Sequence, residues 1–473
     1  MTIRPQRIRD QVHNLIEFGT GEFEHTLWTV IQTESFQRLR RIRQLGFSEF
    51  VFPGATHTRF AHSLGVFHIA RQLMRVIKEH IENGHGQVRS HKVDVALAAA
   101  LLHDVGHGMF SHAFEAIGKE FGLAMAEHEH VSALIVRQTE IAERLRPLGD
   151  SFADEVARLV GQKGPGNLYD AVVSSQFDAD RLDYMQRDRL MTGVRSSGVD
   201  QTWLIANLEI HAVRTGADDS SAGSVETLVL GPKAALTAES YLLSLFHLYP
   251  NVYLHKATRG AELMFGALIR RLIRLERYGH SDKSGLSENH PIRRFVSKPD
   301  RLEHALGLDD GVLWGALLML SEAEDKEVVL LARSLRGRAL TRCIDVHQRV
   351  AAGVQRRKGE SLEKHQARIN LALSKAESSL TRWCKDNGAS RDRVLLDRYS
   401  RSPYKRYQDS DTPLNRVLIH AGSGKLQDMA QFSSVIAAAQ PFVISRAYVF
   451  RDDKEAQRVV ENEVRTAIVG NRK

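Results

Sequence analysis

The sequence predicts a mainly α protein: a helical core, a small β-hairpin and a smaller C-terminal α+β lobe. Three observations carry this reading. Apolar residues recur at helical spacing through the first 200 residues, as in Val66, Ile69, Leu73 and Val76. In the first half, strand-like alternation is prominent at 208–214, answered by 226–230 across a Gly/Asp/Ser-rich turn. Beyond residue 300, helical stretches are interrupted by strand-like 393–396 and 442–450.

Taken in order, residues 10–18 read as an extended segment with a turn, followed by a helix through 27–31. Phe36, Leu39, Ile42 and Leu45 fall three apart on one helical face with Gly46 as terminator, and the interspersed arginines read as its wet side. Residues 53–59 are loop. A helix over 60–80 carries His62 in its first turn. The alanine-rich stretch 92–102 predicts a helix buried nearly all round that ends abruptly in His103-Asp104. Segments 114–121, 128–138 and 152–160 read helical, 168–191 reads as one long helix, and helix returns over 234–274. Residues 277–299, rich in Gly, Ser, Asn, Pro and charge, read as a linker. The expected domains are therefore a catalytic core at 1–276 and a lobe at 300–473, with helices near 312–320, 325–335 and 362–387.

Two cysteines offer neither a disulfide framework nor a thiolate metal site, so any metal must sit on nitrogen and oxygen. No apolar run approaches a membrane span and the first residues lack a secretion signal, so a cytoplasmic protein is expected, with no membrane partner. The net charge of +8 suits phosphate-bearing ligands and leaves nucleic acid open as a partner.

Histidines crowd into 57–130. His62, His103, Asp104 and Asp180 supply two imidazoles and two carboxylates from three predicted helices. That set suits one divalent ion of the Mn, Mg, Fe, Co or Zn class. Asp180, Tyr184 and Arg187 or Asp188 share a helical face, whereas Asp183 reads as a solvent-facing charge. His107 and His112, with Arg59 and His128, exceed what a core needs and can act as acids, bases or phosphate donors.

The H…HD…D arrangement resembles that of HD-domain phosphohydrolases. Longer stretches, including Gln44-Leu45-Gly46, residues 51–66, 103–112, 178–188 and 253–256, resemble the deoxynucleoside triphosphate triphosphohydrolases among them. The likeness covers roughly the first 270 residues; the remainder, including Tyr404-Lys405, is only loosely similar. The resemblance implies hydrolysis of a deoxynucleoside triphosphate to deoxynucleoside and triphosphate. The metal would sit on His62, His103, Asp104 and Asp180, with additional Mg accompanying the nucleotide. Arg59 and His107 would grip the α-phosphate, and His112 would protonate the leaving oxygen. His128 would be oriented through Glu115 and Glu129. Gln44 and Asp188 would bond the sugar 3′-hydroxyl, Leu45, Tyr184 and Tyr253 would wall the sugar, and Arg181 and Lys256 would meet the outer phosphates. It further implies a homo-oligomer and a regulatory nucleotide. Two departures stand out. Leu245 replaces an arginine that meets the terminal phosphates, and Gln32 replaces an aspartate that reads a guanine activator. The alternatives are an HD phosphohydrolase acting on another nucleotide or phosphate ester, and a nucleic-acid-binding oligomer with a structural metal site.

Overall fold

The computed structural model describes residues 4–162, 164–195, 198–214, 223–386, 393–401, 416–421, 425–439 and 441–470. Among them run nine strands: β1 (Gln6–Asp10), β2 (Asn14–Phe18), β3 (Leu208–Arg214), β4 (Ser224–Leu230), β5 (Arg342–Asp345), β6 (Val394–Arg401), β7 (Leu418–His420), β8 (Leu426–Asp428) and β9 (Phe442–Val449). Most of the rest is helical, as expected. Tyr404-Lys405 lies outside the described residues.

The chain divides into two compact units, each assembled from three stretches: Met1–Val252, Leu286–Ala316 and Pro403–Ala439 in the first, and Tyr253–Gly285, Leu317–Ser402 and Gln440–Lys473 in the second. This differs from contiguous blocks at 1–276 and 300–473. The expected linker carries a helix at Pro291–Ser297 whose Ile292 and Phe295 are buried. Apolar burial outweighed the turn-rich composition that suggested a break.

In the first unit the helix Arg59–Asn83 packs against Ser90–Leu102 and Ala179–Thr192. Ser90–Leu102 buries every residue from Val95 to Leu102, as a small-residue helix at the centre of a bundle must. The stretch at 36–45 differs from expectation. Only Glu34–Gln37 is α-helical; Arg38–Arg41 is a 3-10 turn, and Ile42 is extended. Spacing by three is the period of a 3-10 helix, where residues i and i+3 eclipse. Arg38 is correspondingly no wet face: buried, it donates to Leu308 O (3.0 Å) and Val105 O (2.9 Å). The expected long helix at 168–191 is also interrupted. A 3-10 turn covers Leu168–Val172, and a new helix starts at Ala179 with Asp178 as N-cap, accepting from Arg181 N at 2.8 Å. Gly193, in the left-handed region, ends that helix.

β1 and β2 form an N-terminal hairpin, and β3, β4, β7 and β8 form a four-stranded sheet in that order. The hairpin at 208–230 is present as expected. In the second unit, β5, β9 and β6 form an antiparallel sheet. Helices Leu362–Asp386 and Lys454–Val469 cover it around Ile344, Leu380, Val449 and Val460.

A candidate metal centre and its proton relay

The three helix termini of the first unit that meet at one point carry His62, His103 and Asp180. Ligand atoms of these residues all lie within 4.8 Å of one another. His103 donates its Nδ1 proton to the Ala100 carbonyl (2.9 Å), which can only accept. His62 gives Nδ1 to Asp183 Oδ2 (2.8 Å). Both rings are thereby fixed with Nδ1 protonated and Nε2 pointing at the same place. Neither Nε2 has a hydrogen-bond partner, although both are buried. Asp180 Oδ1 lies 3.0 Å from His62 Nε2 without hydrogen-bond geometry. Asp104 approaches from the other side, Oδ1 at 3.4 Å from His103 Nε2 and Oδ2 at 3.6 Å from His62 Nε2. Two buried Nε2 atoms without partners, set beside two carboxylates, fit a divalent cation, which takes the place that a proton otherwise holds. The same field is visible in His62: burial opposes its charged form, yet the Asp180 and Asp183 carboxylates outweigh burial and raise its pKa to about 10.

Arg59 Nη1 donates to Asp104 Oδ2, and His107 Nε2 stands 3.2 Å from Asp104 Oδ1. Burial and the Arg59 guanidinium push His107 well below the ordinary histidine range, so it is neutral. Its ring stacks on His128 at 4.0 Å, and His112 stands edge-on to both. Glu115 Oε2 accepts from Nδ1 of His112 (3.2 Å) and His128 (3.0 Å), while Lys119 donates to Oε1. Burial raises the Glu115 carboxyl, but hydrogen bonds from His112, His128 and Lys119 win and hold it ionised. Each of the two imidazoles therefore keeps Nε2 for a substrate atom. His112 is exposed, in keeping with a group that must meet a ligand.

Arg59, Asp104, His107, His112 and His128 line a cavity of about 290 Å³ together with Gln44, Tyr184 and Glu129. Gln44 Oε1 is buried without a hydrogen-bond partner there. Asp188 is buried and accepts from His57 Nε2 at 2.8 Å. Leu45 is the residue preceding the 3-10 turn Gly46–Phe50. Arg181 donates to the Ser175 carbonyl and to Asp178 Oδ2 (2.6 Å). Tyr253 and Lys256 belong to the second unit.

Reading the sequence missed the residues behind this shell, Asp183 above all. It is fully buried, not solvent-facing. Its carboxylate accepts from His13 Nε2 (2.7 Å), His62 Nδ1 and Arg187 Nε (2.7 Å), and Arg187 in turn reaches Asp10 Oδ2 (2.8 Å). The N-terminal hairpin thus orients the His62 imidazole of the candidate metal centre. Helical spacing put Asp183 off the Asp180 face without showing that a neighbouring helix covers it. One signal was Gly65, three residues after His62: a Cβ there would lie 1.9 Å from Asp183 Oδ1 and 2.4 Å from Arg187 Nη2. Gly65→Ala is expected to push this pair off His62, lowering both thermal stability and metal content. An unchanged melting temperature and metal stoichiometry would refute that.

Residues 59–185 match the family described as HD domain, and residues 220–288 match the HD associated region. Uncharacterized protein YwfO of Bacillus subtilis is 34% identical over 327 residues, 68% of this chain and 67% of that one. The chain belongs to the HD-domain phosphohydrolases. A Dictyostelium discoideum protein named deoxynucleoside triphosphate triphosphohydrolase SAMHD1 homolog is 31% identical over 269 residues, 54% of this chain and 47% of its own. The chain thus spans about half the length of that relative. A crystal structure of a phosphohydrolase from Bacteroides thetaiotaomicron shares the fold, with a TM-score of 0.69, 24% identity, and coverage of 94% of this chain and 100% of that one. As an HD-domain protein, this chain is a metal-dependent hydrolase, and the orphaned Nε2 atoms of His62 and His103 are where its divalent ion fits. No described helix is long and apolar enough to cross a membrane.

Proposed function

We propose that this HD-domain protein hydrolyses a deoxynucleoside triphosphate to deoxynucleoside and triphosphate. The observation that carries the reading is that one cavity joins the HD site to a neutral His107 and to two imidazoles held by one carboxylate. His62, His103, Asp104 and Asp180 hold the cation, which when bound polarises a phosphoryl oxygen and lowers the pKa of water. Arg59, fixed between Ser111 Oγ (2.7 Å) and Asp104, supplies positive charge beside the α-phosphate. His112, steadied through Nδ1 by Glu115, presents Nε2 to protonate the departing 5′ oxygen. His128 shares that carboxylate and stands by as the group that returns the proton. Gln44, whose Oε1 lacks a protein partner, accepts from a sugar hydroxyl, and Tyr184 walls the sugar.

Support for the nucleotide comes from the SAMHD1 relatives and from the motifs that match them. Leu245 in place of an arginine keeps another nucleotide or phosphate ester as the competing substrate. A regulatory nucleotide and a homo-oligomer belong to the same reading. In the second unit a cavity of about 690 Å³ is lined by Lys256, Arg338, Arg342, Arg451 and Lys454, a set of cations suited to a polyphosphate.

The purified protein with Mn or Mg is expected to release triphosphate from at least one of the four dNTPs, supplied singly and in pairs, as resolved by ion exchange. Asp180→Ala should abolish the release. Stimulation seen only in pairs would support the regulatory nucleotide. Orthophosphate or pyrophosphate as the sole inorganic product would exclude the stated reaction and favour the competing one.

A further inference from the structure

We propose a second divalent-cation site in the first unit, on the four-stranded sheet, formed by Glu209 and His211 of β3 and His420 of β7. It is separate from the HD site in every ligand and does not depend on the reaction assigned above.

Three ligand-type side chains converge there. Glu209 and His211 are two apart on one strand and so project from the same face. Glu209 Oε2 lies 3.2 Å from His211 Nε2 and 2.7 Å from His420 Nδ1, and the two imidazole rings stand 4.3 Å apart. One ligand atom from each residue falls within 4.8 Å of the other two. A tetrahedral zinc with bonds near 2.1 Å separates its ligands by about 3.4 Å, so small side-chain shifts admit the ion. The three side chains are about one-third exposed, leaving a way in and room for water on the remaining coordination position. Two imidazoles and a carboxylate suit zinc or cobalt better than calcium or magnesium.

The sheet makes room for this meeting. β3 and β7 are not neighbours, because β4 runs between them. β4 ends at Leu230, and the next residue is Gly231. A Cβ on Gly231 would lie 2.6 Å from Glu209 Oε1 and 3.1 Å from the Asn207 carbonyl. The φ of Gly231 is −70°, which any residue adopts, so its backbone does not call for glycine. The missing side chain instead lets the Glu209 carboxylate lie across the strand end towards His420. The ladder beside it is thin: β4 and β7 share one register pair, Leu230 with Ile419. A cation on these ligands would clamp the β7–β8 hairpin, some 200 residues later in the chain, onto β3.

The test counts metal on the full-length protein. Wild type, Glu209→Gln, the double variant His211→Asn/His420→Asn and Asp180→Ala are equilibrated with zinc chloride, desalted, and assayed for zinc per chain by plasma mass spectrometry. The double variant and Glu209→Gln should each carry one equivalent fewer than wild type, with phosphohydrolase activity retained. Gly231→Val, which keeps all three ligands, should weaken zinc retention as well. With cobalt in Asp180→Ala, the intense visible bands of four-coordinate cobalt should develop, and they should vanish when His420→Asn is added. Should a variant fail to fold by circular dichroism, the cobalt spectrum of Asp180→Ala with His62→Ala and His103→Ala added, which strips the HD site of its nitrogen ligands, decides. Equal zinc in wild type and the folded double variant, or only the weak spectrum of six-coordinate cobalt in Asp180→Ala, would overturn the site.

Discussion

Asp183→Ala is expected to destabilise the protein by about 3–5 kcal/mol, the usual effect of removing one partner from a buried ion pair. It would leave the Arg187 guanidinium, itself fully buried, with Asp10 alone, and His13 without its acceptor. It would also free the His62 ring, since Asp183 fixes which nitrogen faces the candidate metal site. Asp183→Asn separates the two effects. The amide keeps the volume but lacks the charge, and metal affinity should fall by about 10–100-fold, the range seen when a group behind a ligand is lost. Urea unfolding with and without added metal measures both quantities. A wild-type midpoint for Asp183→Ala would show that the network carries no such energy.

Asp310 yields the second large effect and a pH dependence. Its Oδ1 accepts from Phe110 N and its Oδ2 from Arg43 N, both at 2.7 Å. Those amides belong to the two loops that present His112 and Gln44 to the cavity. Phe110 and Ser111 both have positive φ, near +53° and +51°, a strained conformation for non-glycine residues that persists only where surroundings enforce it. Asp310→Ala would orphan a buried donor at Phe110, at about 1–3 kcal/mol, and a half-buried one at Arg43, and turnover should drop as His112 loses its place.

Burial, helped by Asp309, raises the Asp310 carboxyl to about 7 against its backbone donors. An unfolded aspartate titrates near 3.9. Between those values the native state binds more protons, so this residue's contribution to stability falls as pH rises from about 4 to about 7 and is level above that. Asp310→Asn cannot ionise. The stability difference between wild type and this variant should therefore shrink with rising pH across that window, as read from urea midpoints. A pH-independent difference would refute the assignment.

How much of this was legible beforehand depended on the range of the interaction. The helices bearing His62 and His103 follow from local periodicity and small-residue content, and their ends lie within a few residues of expectation. The four candidate metal ligands stood out because their side-chain chemistry is conspicuous at any distance along the chain. Asp183 was not, since a carboxylate on a polar helix looks solvated until another helix is laid over it. Arg38 misled for the same reason. Asp310 gave no signal, because the groups it satisfies are backbone amides 200 and 267 residues away.

By itself, then, the sequence determined the helical class, the ligand types of the candidate metal centre and the histidine-rich cluster beside it, all properties of residue identity and short-range period. Tertiary structure decided the rest. It set which imidazole nitrogen faces the candidate ion site, which carboxylates lie behind it, and that residues 286–316 belong to the first unit. Hydrogen-bond direction and burial arise only when distant segments meet, and those two quantities turn a set of candidate ligands into a site.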